Sequence, residues 1–498
     1  MIIMARRHLA SLRITTLGLL LAAAAAPRAA ASGFQLRDQS GSGQGVAYAG
    51  ISAGGSDISS MFFNPAALGR YDGNHLQLGL TDIAPTSKLS DGSATRSAVP
   101  PLGIAATPIS GATSTGNVAK GAVIPTLYAM WSVDEDLRLG ISVNVPFGLT
   151  TEYDPSWAGR YRAIKSHLET LDIAPCVAYK LDPQWTVGFA LVARQAKAVL
   201  SQAVDLGAQG QVGVVSAGLN NTIPGGGPIV AGGAADATAT VSGSSWAYGY
   251  RLGILCEPAS AWHLGLGYQS AIKETIKGNA VFNVPASTQA ALAAGNAALK
   301  MVNPPGAAGT IDALSAALAR GLTNTSASAV LHMPATISLG GIYDVSPTFS
   351  LAAEVAQTRW STFHELRVQF ANPAAQPDVV DPENWKDSWF FSVGGTCHPE
   401  GPWTYRLGVA LDQTPVPDAT RTPRIPDSDR TWVSLGVGYQ FTKAFGVDAG
   451  YSHLFCKNAT VNLQAGSNPA NPAYFDGNLT GTYKNSIDIL AVQARFAF

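Results

Sequence analysis

Arg421, Arg424 and Arg430 stand in one short run, RTPRIPDSDR, and the flat fork of a guanidinium is well shaped to take a carboxylate. Arg406 is a fourth candidate, on the inward parity of a predicted strand that Arg495 shares on another. Asp427 and Asp429 lie beside the run, so ion pairs that fix a loop are the alternative to ligand capture. Catalysis finds little to work with. The histidines after the first (His75, His167, His263, His332, His364, His398 and His453) are scattered. None sits beside a Ser or Cys in a nucleophile motif, and no metal or phosphate loop is present. The expectation is a protein that is not an enzyme and uses no cofactor or metal. A barrel-embedded hydrolase is the enzymatic alternative.

Two further motifs act on the backbone. A predicted strand starting at Leu137 runs into Asn144-Val145-Pro146-Phe147-Gly148. Proline has no N–H for a ladder and glycine marks a bend, so pairing should break there. In lipid such a break would expose polar groups, so it should face a lumen or a plug. The alternative is that Pro146 merely ends the strand. Asn64-Pro65-Ala66 is a turn-type sequence whose Asn can bond its own backbone.

The elements that carry these residues read as a membrane barrel. Leu490, Val492, Ala494, Phe496 and Phe498 share one face of the last strand, and the chain stops on the aromatic. Only 13% of the 498 residues are charged, half the usual share, with a net charge of −1. No stretch beyond the N-terminus is long and apolar enough for a spanning helix. Near-neutral charge argues against a nucleic-acid partner. Arg6, Arg7 and Arg13, the apolar stretch to Ala26 and Ala29-Ala30-Ala31 form an export signal over residues 1–31. The paired Arg6-Arg7 leave a twin-arginine route open beside the Sec route. The destination is then the outer membrane of a Gram-negative cell, reached with the barrel assembly machinery as partner. Cys176, Cys256, Cys397 and Cys456 have no metal-type spacing; they read as small apolar residues, with a bridge as the alternative.

Short turns at 133–136, 181–184, 257–261, 344–348, 398–402 and 442–444 alternate with longer connections. Those lie near 85–120, 148–166, 203–243, 284–330, 363–384, 414–429 and 461–482. Six turns and seven loops make thirteen connections and so fourteen antiparallel strands, over residues 75–498. Residues 32–74 are Gly- and Ser-rich without alternation, yet hold Phe34, Phe62 and Phe63. A plug in the lumen suits them, and a free tail is the alternative. The Ala-rich segment 287–320 has Leu314, Ala317 and Leu318 at helical spacing, as either a helix over the barrel mouth or a low-complexity loop.

Several motifs together resemble the FadL-type family of outer-membrane transporters for long-chain fatty acids and other hydrophobic compounds. They are Ser32-Gly33-Phe34-Gln35-Leu36, Asn64-Pro65-Ala66, Trp157-Ala158-Gly159-Arg160-Tyr161, Asn384-Trp385-Lys386-Asp387-Ser388-Trp389 and Arg421 through Trp432. The resemblance implies a monomeric barrel, plugged by an N-terminal hatch, with no open water channel. Ligand would be captured at the outer loops, held in an inner pocket capped by Phe34, and released sideways into outer-membrane lipid. The exit would be a gap at Asn144, Pro146, Phe147 and Gly148, facing Asn64, Pro65 and Ala66. Family pockets hold the head group with basic side chains, which no motif places in this chain. Long loops 203–243 and 284–330 match only in position, so the cargo, fatty acid or aromatic hydrocarbon, stays open. A general porin for polar solutes is the rival reading.

Overall fold

The computed structural model describes residues 33–223 and 227–498, so the expected export signal at 1–31 lies outside the described residues. The chain closes a fourteen-stranded antiparallel barrel. The strands are β1 (His75–Arg96), β2 (Ala122–Ser132), β3 (Leu137–Asn144 resumed as Gly148–Glu152), β4 (Lys165–Lys180) and β5 (Trp185–Asp205). Then come β6 (Asp236–Ala259), β7 (Trp262–Gln269 and Ile272–Asn283), β8 (Thr325–Met333 and Thr336–Ser346) and β9 (Phe349–Thr358 and Glu365–Phe370). The last are β10 (Val379–Pro382 and Ser388–Cys397), β11 (Trp403–Asp412), β12 (Arg430–Thr442), β13 (Phe445–Cys456 and Ala459–Leu463) and β14 (Asn478–Ala497). Closure is made by β1 on β14, from His75 against Ala497 to Thr95 against Asn478, with one register shift between Ser90 and Ser93. A closed ladder leaves no edge in lipid.

Alternation sorts each strand into a lipid face and a lumen face. On β11, Trp403, Tyr405, Leu407 and Val409 are exposed while Arg406 is buried; on β14, Leu490 and Val492 are exposed while Gln493 is buried. Aromatics ring the short-turn rim, where Trp403, Tyr439, Phe441, Phe445 and Phe496 follow one another at 4.6–5.3 Å between centroids. That is the interfacial girdle of a membrane barrel.

Residues 33–74 fill the lumen. They form helix α1 (Gly41–Gly45) and short 3₁₀ turns, nearly all of them buried. Their backbone lies directly on inward-facing glycines of the wall. A Cβ on Gly253 would stand 1.8 Å from Asn64 Oδ1, one on Gly265 1.8 Å from Ser52 O, and one on Gly436 2.7 Å from the Cα of Gly45. Polar contacts then fix the seat: Gly41 N donates to Gln493 Oε1 at 2.7 Å, and Gln493 Nε2 donates to Asp57 Oδ2 at 2.6 Å.

Outside the membrane, three helices cap the mouth: α2 (Leu206–Ser216), α3 (Ala286–Val302) and α4 (Ala308–Gly321). The segment 287–320 is thus helical, in two pieces. Helix α2 replaces what sequence reads as plain loop, because Gly207, Gly210 and Gly213 each lower helix propensity. Here they bring neighbours close: a Cβ on Gly213 would meet Leu314 at 3.3 Å and one on Gly207 would meet Ala231 O at 2.1 Å. All four cysteines are free, so the bridge alternative falls.

Replacing Gly253→Val should unseat the hatch at a cost of about 1–3 kcal/mol, the usual penalty for overpacking. Trypsin should then cut within residues 33–74 while the barrel keeps its heat-dependent gel mobility. A hatch as resistant as in the parent protein would refute this seating.

Candidate functional site

The ladder between β2 and β3 runs up to Leu127 against Val143, and resumes only as an isolated bridge of Ala119 with Thr151. Between those points, 120–126 and 144–150 are joined by a single bond, Lys120 N to Thr150 O at 3.0 Å. On the other side, Asn144 opposes Asp172 and Gly148 opposes Glu169, so β3 carries one extra residue. That is a bulge, at the proline and glycine that forecast it.

The backbone freed at the bulge is taken up by the start of the hatch. Leu36 N donates to Pro146 O at 2.8 Å, and Gly148 N donates to Phe34 O at 3.0 Å. Gln39 Nε2 reaches Val145 O at 2.8 Å, and Phe147 N donates to Thr170 Oγ1 at 3.0 Å. Asn144 Nδ2 donates to Tyr128 OH at 2.7 Å. The carbonyls of Val145 and Pro146 and the N–H groups of Phe147 and Gly148 thus find protein partners at the break.

Asn64-Pro65-Ala66 lies elsewhere. Asn64 caps the 3₁₀ turn Pro65–Arg70, taking Ala66 N at 2.9 Å, and its Nδ2 donates to Ile254 O on β6 at 3.0 Å. Ala66 covers Gly188 on β5. The segment whose backbone pairs with the kink is therefore Phe34–Leu36, whereas Asn64, Pro65 and Ala66 rest on β5 and β6. The resemblance had set those three against the gap.

Phe34 lines the innermost of three adjoining apolar cavities. Its ring sits among Trp360, Trp385, Phe147 and Phe363, at 4.8, 5.5, 5.9 and 6.3 Å. A cavity of about 80 Å³ adjoins it, walled by Leu149, Leu168, Ile276 and Leu331 among others. A larger one of about 460 Å³ shares Leu200, Val241, Leu366 and Val368 with the first. A third, also about 460 Å³, lies among α2, α3 and α4 and shares Leu314, Leu318 and Leu322 with the second. The cavities under the helical cap and beside the aromatic box thus adjoin one another through shared walls.

The four candidate arginines divide. Arg424 borders the large cavity, where it meets Gln202 Oε1, Ser166 Oγ at 3.3 Å and Asp381 at 3.8 Å. Arg421 is consumed by its own loop, donating to Asp427 O at 2.9 Å and Thr460 O at 2.8 Å, and pairing with Asp418. Arg430 binds Asp427 Oδ1 at 2.7 Å and Gly33 O at 3.2 Å. Arg406 pairs with Asp448 at 2.8 Å, as does Arg495 at 2.5 Å, beside the hatch at Gly45.

Sequence reasoning passed over other members of the site. Asp172 binds Arg194 through both oxygens, at 2.6 and 2.9 Å, and Arg251 at 2.7 Å, with the Arg194 guanidinium 4.9 Å from the Phe147 ring centroid. Strand parity alone puts Arg194 inward and was a usable signal. The aromatic partners Trp360, Phe363 and Trp385 come from loops that no periodicity links. Glu383 accepts the Trp385 Nε1–H at 2.8 Å. Burial pushes the Glu383 carboxyl up to about 8; Asp381 adds to the rise, and the Trp385 bond opposes it.

A hatch-plugged barrel with an apolar route to a break in its wall defines a class: the plugged transport barrels of the Gram-negative outer membrane. The chain belongs to the family described as outer membrane protein transport protein (OMPP1/FadL/TodX), which matches residues 22–498. It is 28% identical to the long-chain fatty acid transport protein of Salmonella typhi, covering 86% of this chain and 89% of that protein. The Escherichia coli K12 protein of the same name is 27% identical over the same shares. Among solved structures, a Pseudomonas aeruginosa FadL homologue superposes with a TM-score of 0.77 at 26% identity, covering 94% of this chain and all of the other. The Ralstonia pickettii toluene transporter TbuX, 17% identical with a TM-score of 0.58 over 92% of this chain and 99% of the other, shares the fold.

Glu383 gives the site a pH dependence. Its folded value lies above the ordinary 4.5, so the folded protein keeps a proton that the unfolded chain sheds from about pH 4.5 to about 8. Its contribution is full below that window, falls across it and is lost above. Thermal melts followed by tryptophan fluorescence should show a lower Tm at pH 9 than at pH 5. Glu383→Gln, which keeps an acceptor for Trp385, should flatten the difference; an equal slope in both proteins would contradict the assignment.

Proposed function

We propose that this protein carries long-chain fatty acids, or hydrophobic molecules like them, passively across the outer membrane. Cargo is captured under the helical cap, held in the inner cavities and released sideways at the break between β2 and β3. One observation carries the reading: the backbone of the unpaired stretch of the wall is met by that of Phe34–Leu36, and Phe34 also lines the innermost apolar cavity. Phe34 is then the gate, Pro146, Phe147 and Gly148 the frame of the exit, and Asn64, Pro65 and Ala66 the fixed seat of the hatch. No covalent step is involved. We take the working unit to be a monomer, inserted by the barrel assembly machinery after removal of residues 1–31.

The energetics support a sideways exit. Each CH₂ withdrawn from water is worth about 0.8 kcal/mol, so release of a long chain back into water is unfavourable. An apolar route ending against lipid avoids that step. The outer cavities are of a size suited to small-molecule ligands, about 460 Å³ each. Arg424 at the wall of one favours an ionised acid, consistent with the names of the fatty-acid transport relatives. The innermost cavity has no Lys, Arg, Asp or Glu in its wall, which favours neutral aromatic hydrocarbons as the second reading.

Cells with this protein as their sole transporter of the kind should be given labelled oleate and labelled toluene. Uptake of oleate, abolished by the regularising pair Pro146→Thr and Gly148→Val, is the expected result. Arg424→Gln should lower oleate uptake about tenfold, the loss of one charged hydrogen bond, and leave toluene unaffected. Phe34→Ala should leave the barrel folded and shorten retention of bound ligand. Uptake of neither compound, with ion conductance in planar bilayers, would replace this reading by a porin.

A further inference from the structure

Phe34 is held by more than its own contacts with Gly148 and the aromatic box. The residue before it, Gly33, is gripped on both sides of its peptide: its N–H donates to Asp427 Oδ2 at 3.0 Å, and its carbonyl accepts from Arg430 Nη2 at 3.2 Å. Asp427 is itself fixed by Thr414 Oγ1 at 2.6 Å and by Arg430 at 2.7 Å, and Arg430 also faces Asp412 at 3.9 Å. Gly33 has a φ of +66°, and a Cβ there would lie 2.7 Å from the Trp385 ring, so only glycine fits beneath this grip. All of these groups are buried or nearly so.

The segment that makes the grip also walls the route. Arg424 borders the large cavity and Ile425 the small one, three and two residues before Asp427. A ligand that shifts Arg424 or Ile425 therefore pulls on a short, proline-stiffened stretch that ends at the carboxylate holding Gly33. We propose that Asp427 and Arg430 are positioning residues that latch the N-terminal gate, tying its closure to cavity occupancy through residues 424–427. The proposal rests on the reading of Phe34 as gate and names what holds it shut. A ligand acts on such a latch only through unequal contact with its closed and open states, and Arg424 and Ile425 are where that contact would arise.

The test uses the intact protein in detergent, with two readouts. Hydrogen–deuterium exchange reports the amides of residues 33–36, and release of labelled oleate reports the gate. Asp427→Ala should raise exchange at 33–36 about tenfold, leave the β1–β14 amides unchanged and speed oleate release about tenfold. Asp427→Asn keeps an acceptor for Gly33 and should fall between. In a Phe34→Ala background, Asp427→Ala should add nothing to release, because both act through the same ring; an effect of full size there would mean that the pair merely stabilises the loop, and would overturn the latch. Unchanged exchange at 33–36 would overturn it as well. If Asp427→Ala does not fold, Thr414→Val removes one support of Asp427 and should raise the same exchange about threefold; no rise rejects the latch. A parent protein that binds no oleate would refute the cargo, and the exchange result would still decide the latch.

Discussion

A backbone N–H or C=O facing hydrocarbon without a partner is too costly to keep, and this constraint organises the whole protein. It demands the closed ladder from β1 round to β14. It also demands that the one place where β2 and β3 part be completed from inside. Phe34–Leu36 meet that demand by acting as a short inserted strand at the bulge. The same hydrogen bonds thus complete the wall and hold Phe34–Leu36 in place. Moving residues 34–36 would leave Pro146 O and Gly148 N without these partners, which is costly away from water.

The hatch can offer those residues because the rest of it is held tightly. Its polar side chains would be a poor core in an ordinary protein, but many of them find partners on the lumen face. Gln44 Nε2 donates to Ser452 Oγ at 2.6 Å, Ser52 bonds Glu354, and Tyr128 OH donates to Gln39 O at 2.8 Å. Glycines on the wall let backbone meet backbone, which gives the high glycine content of the chain a physical purpose. The first residues, at 33–36, rest on the bulge and an outer loop, and Gln39 adds a bond to the bulge.

Charge inside the barrel is mostly spent on structure. Asp172 with Arg194 and Arg251, and Asp448 with Arg406 and Arg495, are buried sets in which each cation already has its carboxylate. Such groups are held by mutual pairing, and taking one partner away leaves the other buried and unpaired. They are therefore poor receptors for a transient head group. Arg424 differs in bordering a cavity with its nearest carboxylate at 3.8 Å, so it has room to exchange partners.

Period-two alternation, the alternation of short and long connections and the aromatic end of β14 made the fourteen strands legible in the sequence, because each is a local consequence of one face meeting lipid. Pro146 and Gly148 announced the bulge for an equally local reason, a missing donor and a missing side chain. The plug was legible as a stretch with aromatics and no alternation. What could not be read was which residues meet across the lumen. Gly33 and Asp427 are nearly four hundred positions apart, and Trp360 and Trp385 reach Phe34 from separate loops. Nothing in the composition of the RTPRIPDSDR run told Arg424 from Arg421 and Arg430. Sequence alone determined that the chain is a lipid-facing barrel with a weakened third strand and something packed inside it. Only the tertiary structure decided that residues 34–36 complete that strand and that Arg424 alone of the four arginines meets the apolar route, because both depend on how closure brings distant loops to one mouth.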